Sequence, residues 1–258
     1  MADQPQGVWS KAEVAGQVVE VYEPPRLNDM GYTVIYLHGV HLGKLHEQTA
    51  FLQQADQHGL RIVVPITQRS WWADRICPEF HPEITAERYV RQHVMEFLAD
   101  RYAVRTPRVA LLGTSMGGQG ALRLSFKYPD QFPLVAAIAP AIDYQNVYYE
   151  YDTLPQMYSE PEAARQDTAL LHVHPLNWPR NLWFACDPAD LRWYESSERL
   201  KMKLYSLGIM HDCDLETSNG GHSWTYYNHM APAAFSFLME RLERERLRLP
   251  VTRPADAE

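Results

Sequence analysis

The chain has 258 residues, of which 46% are hydrophobic and 22% are charged, which is the composition of a folded globular protein. This composition excludes a chain that is disordered throughout, and the formal net charge of -8 argues against nucleic acid or an anionic membrane surface as a partner. The longest apolar stretch, Leu134–Ile142, contains Pro140 and is much shorter than the roughly 18 residues of a membrane-spanning helix.

The cysteine content and the N-terminal segment bear on cellular location. Cys77, Cys186 and Cys213 do not form a disulfide framework by their number or spacing, and a zinc site would need histidines as well. Residues 1–15 lack a basic segment followed by an apolar one, so we expect no secretory signal and a cytoplasmic location. The expected organisation is a single domain over residues 1–248 with a disordered tail over 249–258.

Apolar runs alternate with amphipathic segments along the chain. Two alternating segments at the N-terminus predict a hairpin, and later runs of about six apolar residues predict strands buried on both faces, separated by helices of about 15 residues. In chain order, the hairpin is Val8–Val14 and Gln17–Glu23; the buried strands are Tyr32–Leu37, Leu60–Ile66, Arg108–Leu112, Leu134–Ala139, Asn181–Cys186 and Asp212–Thr217; and the helices are Leu45–His58, Thr85–Tyr102, Met116–Tyr128, Leu191–Leu207 and Trp224–Arg246. This alternation predicts an α/β fold with a mainly parallel sheet, an antiparallel hairpin and helices on both faces.

One long segment, Asp143–Pro179, lacks clean periodicity and is rich in tyrosine. Loops of this length usually have a function or contain short helices, and we expect a cap over the carboxyl ends of the strands, where open α/β sheets bind ligands. Tyr148 in this segment and the pair Trp71 and Trp72, which follow the second buried strand, are candidates for the substrate pocket. Packing of these aromatic residues is the alternative.

Residues 113–118 have the sequence GTSMGG and contain a G-x-S-x-G element. A predicted buried strand precedes the element and a predicted helix follows it, which is the context of a nucleophile elbow. Such a turn lifts the hydroxyl of Ser115 off the sheet and directs the amide of Met116 to a place where an oxyanion is favoured. We therefore predict that Ser115 is a nucleophile, and a glycine-rich turn with an idle serine is the alternative.

A serine hydroxyl is a weak nucleophile and requires a base, and in this kind of fold an acid and then a histidine follow the serine. His222 lies in a glycine-containing loop between the last predicted strand and the last predicted helix, from which it can reach over the sheet. His211 precedes that strand and His229 lies inside the helix. We predict that His222 is the base, and packing against Trp224 is its alternative role.

Two aspartates follow the fifth buried strand, in the sequence CDPAD at 186–190. Asp190 lies in the loop proper and is the preferred acid, although it precedes a predicted helix and N-capping is its alternative role. Asp187 lies at the strand end and is the second candidate. Asp212 and Asp214 lie on the last predicted strand and are weaker candidates.

The loop after the first buried strand is the place for a second oxyanion donor. In His38–Val40 the glycine lets the backbone turn, so that the amide of Val40 faces the serine. His38 is expected to brace this loop rather than to take part in catalysis. For His172 and His174, packing or a role in the cap is preferred to metal binding, because no acidic or cysteine partner has metal-ligand spacing; we expect no metal and no cofactor.

With these motifs the sequence resembles the esterase D family of α/β hydrolases. The resemblance rests on YLHGV at 36–40, GTSMGGQGAL at 113–122, YPDQF at 128–132, CDPAD at 186–190 and GGHSW at 220–224, which together span about residues 32–240. Relatives include S-formylglutathione hydrolase, siderophore, feruloyl and acetyl-xylan esterases, and mycolyltransferases, and they often have glycine in the place of Asp187.

The resemblance implies an α/β-hydrolase fold with a small cap insertion at about 143–179. It also implies Ser115 as nucleophile, Asp190 as acid and His222 as base, with the backbone amides of Val40 and Met116 as oxyanion donors. We therefore expect a serine esterase whose partner is a small-molecule ester: a small or carbohydrate-linked acyl ester or thioester, cleaved through an acyl-enzyme intermediate. The alternatives are an acyltransferase or a peptidase on the same triad, and a non-catalytic binding protein on the hydrolase fold.

Overall fold

An eight-stranded sheet forms the centre of the structure, a computed structural model that describes residues 4–248. The strands are β1 (Val8–Val14), β2 (Gln17–Glu23), β3 (Thr33–Leu37), β4 (Arg61–Pro65), β5 (Val109–Thr114), β6 (Leu134–Ile138), β7 (Asn181–Ala185) and β8 (Asp212–Asp214). Their spatial order is β1-β2-β4-β3-β5-β6-β7-β8. The pairs β1–β2 and β2–β4 are antiparallel and the remaining pairs are parallel, so the predicted mixed sheet with an N-terminal hairpin is confirmed.

The five inner strands β3 to β7 are buried at every residue. Helices cover both faces of a parallel sheet, which is why these strands are apolar without alternation. The edge strand β1 is exposed along most of its length. At the other edge β8 is shorter than the predicted segment Asp212–Thr217. The carboxylate of Asp214 accepts hydrogen bonds from the amides of Glu216 and Thr217 at 3.0 and 2.9 Å, and this turn ends the strand.

Helices connect the strands at the predicted places, with differences at their ends. They are α1 (Thr49–His58), α2 (Ala86–Arg88), α3 (Met95–Tyr102), α4 (Met116–Lys127), α5 (Thr153–Met157), α6 (Pro161–Arg165), α7 (Tyr194–Ser206) and α8 (Trp224–Arg248). The predicted helix Leu45–His58 is divided into a 3-10 turn, Leu45–Glu47, and α1. A π-helical segment, Tyr89–Val94, joins α2 to α3, so the predicted helix over Thr85–Tyr102 is continuous but not uniformly α-helical. Among residues 4–248, no helix is long and apolar enough to cross a membrane.

The segment 143–179, predicted to be a cap and called the cap below, contains α5, α6 and two 3-10 turns, and buried charges attach it to α4. Arg123 of α4 is 1% exposed and pairs with Glu87 of α2 and with Asp167 of the cap, whose Oδ1 lies 2.5 Å from Nη2. Burial alone would lower the pKa of Arg123, but these two carboxylates raise it above its ordinary value. The cap is therefore bound to the helix that follows Ser115. The predicted tail, residues 249–258, lies outside the described part of the chain.

Candidate active site

The turn between β5 and α4 holds Ser115 in an uncommon backbone conformation. Ser115 has φ 54° and ψ -120°, and a non-glycine residue in this region costs about 1–3 kcal/mol. Its amide donates to the carbonyl of Ile138 at 3.1 Å, and its carbonyl accepts from the amides of Gln119 and Ala141 at 3.1 and 3.0 Å. These hydrogen bonds to β6 and α4 hold the strained residue in place.

Two glycines permit the close approach of strand and helix on either side of Ser115. A Cβ atom on Gly113 would lie 2.1 Å from the carbonyl oxygen of Gly117, and a Cβ atom on Gly117 would lie 1.8 Å from the carbonyl oxygen of Leu37. No side chain fits at such distances, so the turn requires glycine at both positions of the G-x-S-x-G element.

Three side chains from three loops form a continuous hydrogen-bonded chain. The Oγ atom of Ser115 lies 2.8 Å from Nε2 of His222, and Nδ1 of His222 lies 2.7 Å from Oδ2 of Asp190. Ser115 follows β5, Asp190 follows β7 and His222 follows β8, so the carboxyl ends of three parallel strands in one half of the sheet bring together residues that are far apart in sequence. The carboxylate of Asp190 is 1% exposed and the imidazole of His222 is 28% exposed, so the imidazole is accessible from solvent while its carboxylate partner is not.

The Oδ1 atom of Asp190 holds the carboxylate in the orientation in which Oδ2 faces His222. Oδ1 accepts from the amides of Arg192 and Trp193, each at 3.2 Å, while Oδ2 faces His222. Asp190 therefore contacts the histidine and also closes a turn before α7; the N-cap of that helix is Trp193, not Asp190. The proton on Nδ1 of a neutral His222 points at the carboxylate, which leaves Nε2 as the acceptor for the Ser115 hydroxyl.

The rival histidines lie elsewhere. The Nδ1 atom of His211 lies 2.8 Å from the carbonyl oxygen of Ile209, and its ring stacks on Phe184. His229 is exposed on α8. In the cap, His172 pairs with Asp167 at 3.0 Å, and Nδ1 of His174 accepts from the amide of Leu176 at 3.2 Å.

The loop after β3 runs directly beside the serine. A Cβ atom on Gly39 would lie 3.4 Å from the Cβ of Ser115, and Met116 is the first residue of α4. Within residues 4–248, the amides of Val40 and Met116 donate to no other backbone group. Two free amides at these places on either side of Ser115 are suited to bind an oxyanion.

His38 stabilises the loop after β3 through hydrogen bonds. Its Nε2 accepts from the amide of Thr67 at 3.1 Å, its Nδ1 donates to the carbonyl of Gly39 at 3.0 Å, and its own carbonyl accepts from the indole nitrogen of Trp72 at 3.1 Å. Burial lowers the pKa of His38 to about 4. The side chain therefore stays neutral at neutral pH and holds the loop by donating one hydrogen bond and accepting another.

A family described as "Putative esterase" matches residues 17–238. The chain belongs to this esterase family. Among curated relatives, the esterase is similar to an acetyl esterase of Caldicellulosiruptor saccharolyticus, with 24% identity over 70% of this chain and 73% of the relative. It is also similar to the S-formylglutathione hydrolase of Bos taurus, with 26% identity over 46% of this chain and 50% of the relative.

Solved structures confirm the α/β-hydrolase fold of the esterase. A substrate-bound fluorophosphonate-binding serine hydrolase of Staphylococcus aureus, FphF, superposes with a TM-score of 0.74 at 15% identity, over 92% of this chain and 99% of that chain. An S-formylglutathione hydrolase from Agrobacterium tumefaciens superposes with a TM-score of 0.73 at 18% identity, over 92% of this chain and 94% of that one.

A cavity of about 130 Å³ lies beside Ser115 in the esterase. Its wall comes from the β3 loop, the end of β5 and the beginning of α8, and is made of Gly39, Val40, His41, Gly43, Thr114, Ser115, His222, Ser223, Trp224 and Tyr227. The aromatic rings of Trp224 and Tyr227 lie 5.3 Å apart and form one side of it. The sequence predicts only a packing contact with His222 for Trp224 and no role for Tyr227. The feature that could have identified them is their place in the sequence, since both lie within one or two helical turns of His222.

The aromatic residues predicted for the pocket lie in the interior of the esterase. Trp71 is 1% exposed and its ring lies 5.1 Å from Tyr144 of the cap. Trp72 is fully buried against Gly120 of α4, where a Cβ atom would lie 2.4 Å from Trp72. Tyr148 is 5% exposed and its hydroxyl donates to the carbonyl of Tyr158 at 2.7 Å. The structure brings none of the three to the cavity wall described above, and their burial favours the packing alternative.

Proposed function

We propose that this esterase hydrolyses esters or thioesters of small acyl groups through an acyl-enzyme intermediate on Ser115. The observation that carries the proposal is the unbroken chain of hydrogen bonds from Ser115 through His222 to Asp190, at 2.8 and 2.7 Å. A serine in this arrangement has the adjacent base that it needs to act as a nucleophile.

In the proposed acylation step, Oγ of Ser115 attacks the carbonyl carbon of the ester while Nε2 of His222 accepts the hydroxyl proton. The negative charge that develops on the carbonyl oxygen is bound by the amides of Val40 and Met116. When the tetrahedral intermediate collapses, the bond to the leaving group breaks and His222 donates its proton to that group. Asp190 remains ionised throughout and stabilises the imidazolium of His222.

Deacylation repeats these steps with water. His222 accepts a proton from the water molecule as its oxygen attacks the acyl carbon, and the same two amides bind the second oxyanion. The bond between the acyl carbon and Oγ then breaks, Ser115 regains its proton from His222, and the carboxylic acid leaves. The partial exposure of His222 allows water to enter.

The size of the cavity supports a small acyl group. About 130 Å³ is well below the roughly 300–1,000 Å³ of a site for a drug-sized ligand, which favours acyl groups of about two to four carbons over groups of eight carbons or more. The names of two relatives, acetyl esterase and S-formylglutathione hydrolase, also refer to acyl groups of one or two carbons.

Covalent labelling tests the nucleophile. We expect a fluorophosphonate probe to modify Ser115, as mapped by peptide mass spectrometry, and Ser115→Ala to abolish labelling. Ser125→Ala is the matched control, because Ser125 also lies on the α4 side of the turn and is buried; this variant should be labelled like the wild type. Labelling of a different serine, or none in a folded sample, would refute the proposal.

A substrate series tests the acyl group. The p-nitrophenyl esters of acetate, butyrate and octanoate are compared by kcat/KM, together with S-formylglutathione, feruloyl esters and acetylated sugars. We expect acetate and butyrate to be hydrolysed faster than octanoate. Faster hydrolysis of octanoate would contradict the small acyl site while leaving the nucleophile assignment intact. Formation of a new ester when an alcohol is added would indicate acyl transfer instead of hydrolysis.

A further inference from the structure

Asp187 holds the loop that carries His222, although its side chain does not contact the imidazole. The Oδ2 atom of Asp187 accepts from the amides of Asn219 and Gly221 at 2.7 and 2.8 Å. The Oδ1 atom accepts from the amide of Ala189 at 2.7 Å. Asp187 is fully buried, so these hydrogen bonds are not exchanged with water.

The bonded amides lie beside the two partners of Ser115. Gly221 directly precedes His222, and Ala189 directly precedes Asp190. One carboxylate therefore connects the loop after β7 to the loop after β8, next to the pair that must remain 2.7 Å apart. The two loops also touch directly, because a Cβ atom on Gly221 would lie 3.4 Å from the carbonyl oxygen of Ala189.

The loop that carries His222 turns at two consecutive glycines. Gly220 and Gly221 have φ of +91° and +65°, in the left-handed region that glycine visits freely. Glycines permit this turn but also leave the chain many alternatives when it is not bonded. Hydrogen bonds to amides on both sides of Gly220 select one of these conformations.

The charge state of Asp187 is consistent with this role. Burial raises the pKa of a carboxyl group, but hydrogen bonds outweigh it and hold the pKa of Asp187 below its ordinary value; they come from the amides of Ala189, Asn219 and Gly221 and from the side chain of Ser218. The group is thus an ionised acceptor at neutral pH, and hydrogen bonds from neutral amides to a charged acceptor are stronger than those to a neutral one.

We propose that Asp187 is a positioning residue that places His222 relative to Asp190 and Ser115, and that it acts through backbone amides of the two loops. The inference rests on the proposed function, because it assigns Asp187 a role in the reaction of Ser115. It also assigns different roles to the two aspartates that follow β7: Asp190 orients the imidazole itself and Asp187 orients the backbone that carries it.

The test is a comparison of Asp187→Asn with Asp214→Asn, using p-nitrophenyl acetate. The amide of Asn presents an NH2 group to at least one of the backbone donors, so the loop shifts. A misplacement of about 1 Å can cost on the order of 100-fold in rate, and we expect kcat to fall 10- to 100-fold with KM changed less than threefold. Asp214 is the matched control, since it also accepts from backbone amides of the β8–α8 connection, at Glu216 and Thr217, and its variant should retain kcat within about twofold.

A double-mutant cycle with His222→Ala distinguishes positioning from a general effect on folding. Residues that act as a unit in catalysis are strongly non-additive, so in the His222→Ala background Asp187→Asn should change the residual rate less than twofold. An equal loss in both backgrounds, or an unchanged kcat in the single variant, would overturn the inference. If Asp187→Asn does not fold, Asp187→Glu keeps the charge but displaces the carboxylate, and it is measured in the same cycle with the same criteria.

Failure of the proposed function gives a different result. In that case the wild-type protein hydrolyses no ester and Ser115 is not labelled by the fluorophosphonate. If the wild type is active and labelled, and the Asp187 variants behave like the Asp214 control, only the positioning role is refuted.

Discussion

The Nε2 atom of His38 accepts a hydrogen bond from the amide of Thr67, and this contact is possible only while Nε2 carries no proton. The contact joins the loop after β3, which contains the amide of Val40 proposed to bind the oxyanion, to the loop after β4. Protonation of the ring would place two N–H groups opposite each other. The stability of the folded protein is therefore linked to the neutral state of His38.

We expect the contribution of His38 to stability to fall as the pH decreases from about 6.5 to about 4. The folded-state pKa of about 4 lies below the ordinary value of about 6.5, so between these values the unfolded chain binds a proton that the folded chain does not. The contribution is complete above about pH 6.5 and is lost as the pH falls towards 4, with a loss of about 2 kcal/mol at pH 5.

Urea unfolding at pH 8 and pH 5 checks this expectation in the wild type and in His38→Gln. Glutamine offers one donor and one acceptor but does not titrate, so the variant should lose less stability between these pH values than the wild type. Because other groups titrate as well, the informative quantity is the difference between the two proteins. Equal losses in both would show that His38 does not contribute to the pH dependence.

Asp190→Asn should lower kcat by about 10⁴ with little change in stability. An amide in this place favours the imidazole tautomer with its proton on Nε2, which cannot accept the hydroxyl proton of Ser115. Asp212→Asn is a control for the removal of a charge, because Asp212 is on the surface and pairs with Arg241 at 3.0 Å. If Asp190→Asn keeps normal activity and Asp187→Asn loses 10⁴, the acid is Asp187.

Trp224→Ala should broaden the acyl specificity. The indole lies against the chain at Gly43 and forms one side of the cavity beside Ser115, so its removal makes room for a longer chain. Each additional buried CH2 group contributes about 0.8 kcal/mol, and we expect the ratio of kcat/KM for octanoate to that for acetate to rise at least tenfold. Trp9→Ala, at a half-buried tryptophan of β1, should leave this ratio unchanged. A constant ratio in Trp224→Ala would mean that acyl groups bind elsewhere.

Trp72→Ala should reduce stability rather than change the substrate profile. Removal of a fully buried aromatic side chain costs about 3–5 kcal/mol, which for a chain of this size lowers Tm by about 10 °C. Tyr148→Ala is measured beside it, since Tyr148 is also buried but belongs to the cap. A changed ratio of kcat/KM between ester types with an unchanged Tm would support the pocket role that the sequence predicted for both residues.

The sheet could be predicted from sequence because each inner strand contains a continuous run of apolar residues, which is typical of a strand covered on both faces. The triad geometry followed from residue types that occur in a fixed order at strand ends. The helix ends could not be predicted in the same way. The helix predicted to begin at Leu191 begins at Tyr194, because Asp190 first accepts from the amides of Arg192 and Trp193.

Other features of the structure could not be predicted, because no pattern of residue types encodes them. The π-helical segment Tyr89–Val94 changes backbone hydrogen bonds but preserves the apolar face. Trp71 and Trp72 both adopt a positive φ, which is rare for bulky residues, and the turn that they form carries their rings into the interior. Two of the three backbone amides that donate to Asp187 lie more than 30 positions away, and an amide has no residue type by which it can be recognised.

The backbone strain at Ser115 has a consequence for attempts to stabilise this esterase by directed evolution. Glycine adopts a positive φ without the steric cost that serine bears, so Ser115→Gly relieves strain at the position of the proposed nucleophile. A library selected for heat resistance alone would therefore enrich catalytically dead chains at this codon. Selection for heat-stable variants must therefore also test catalytic activity in every round, because at Ser115 the substitution that increases stability removes activity.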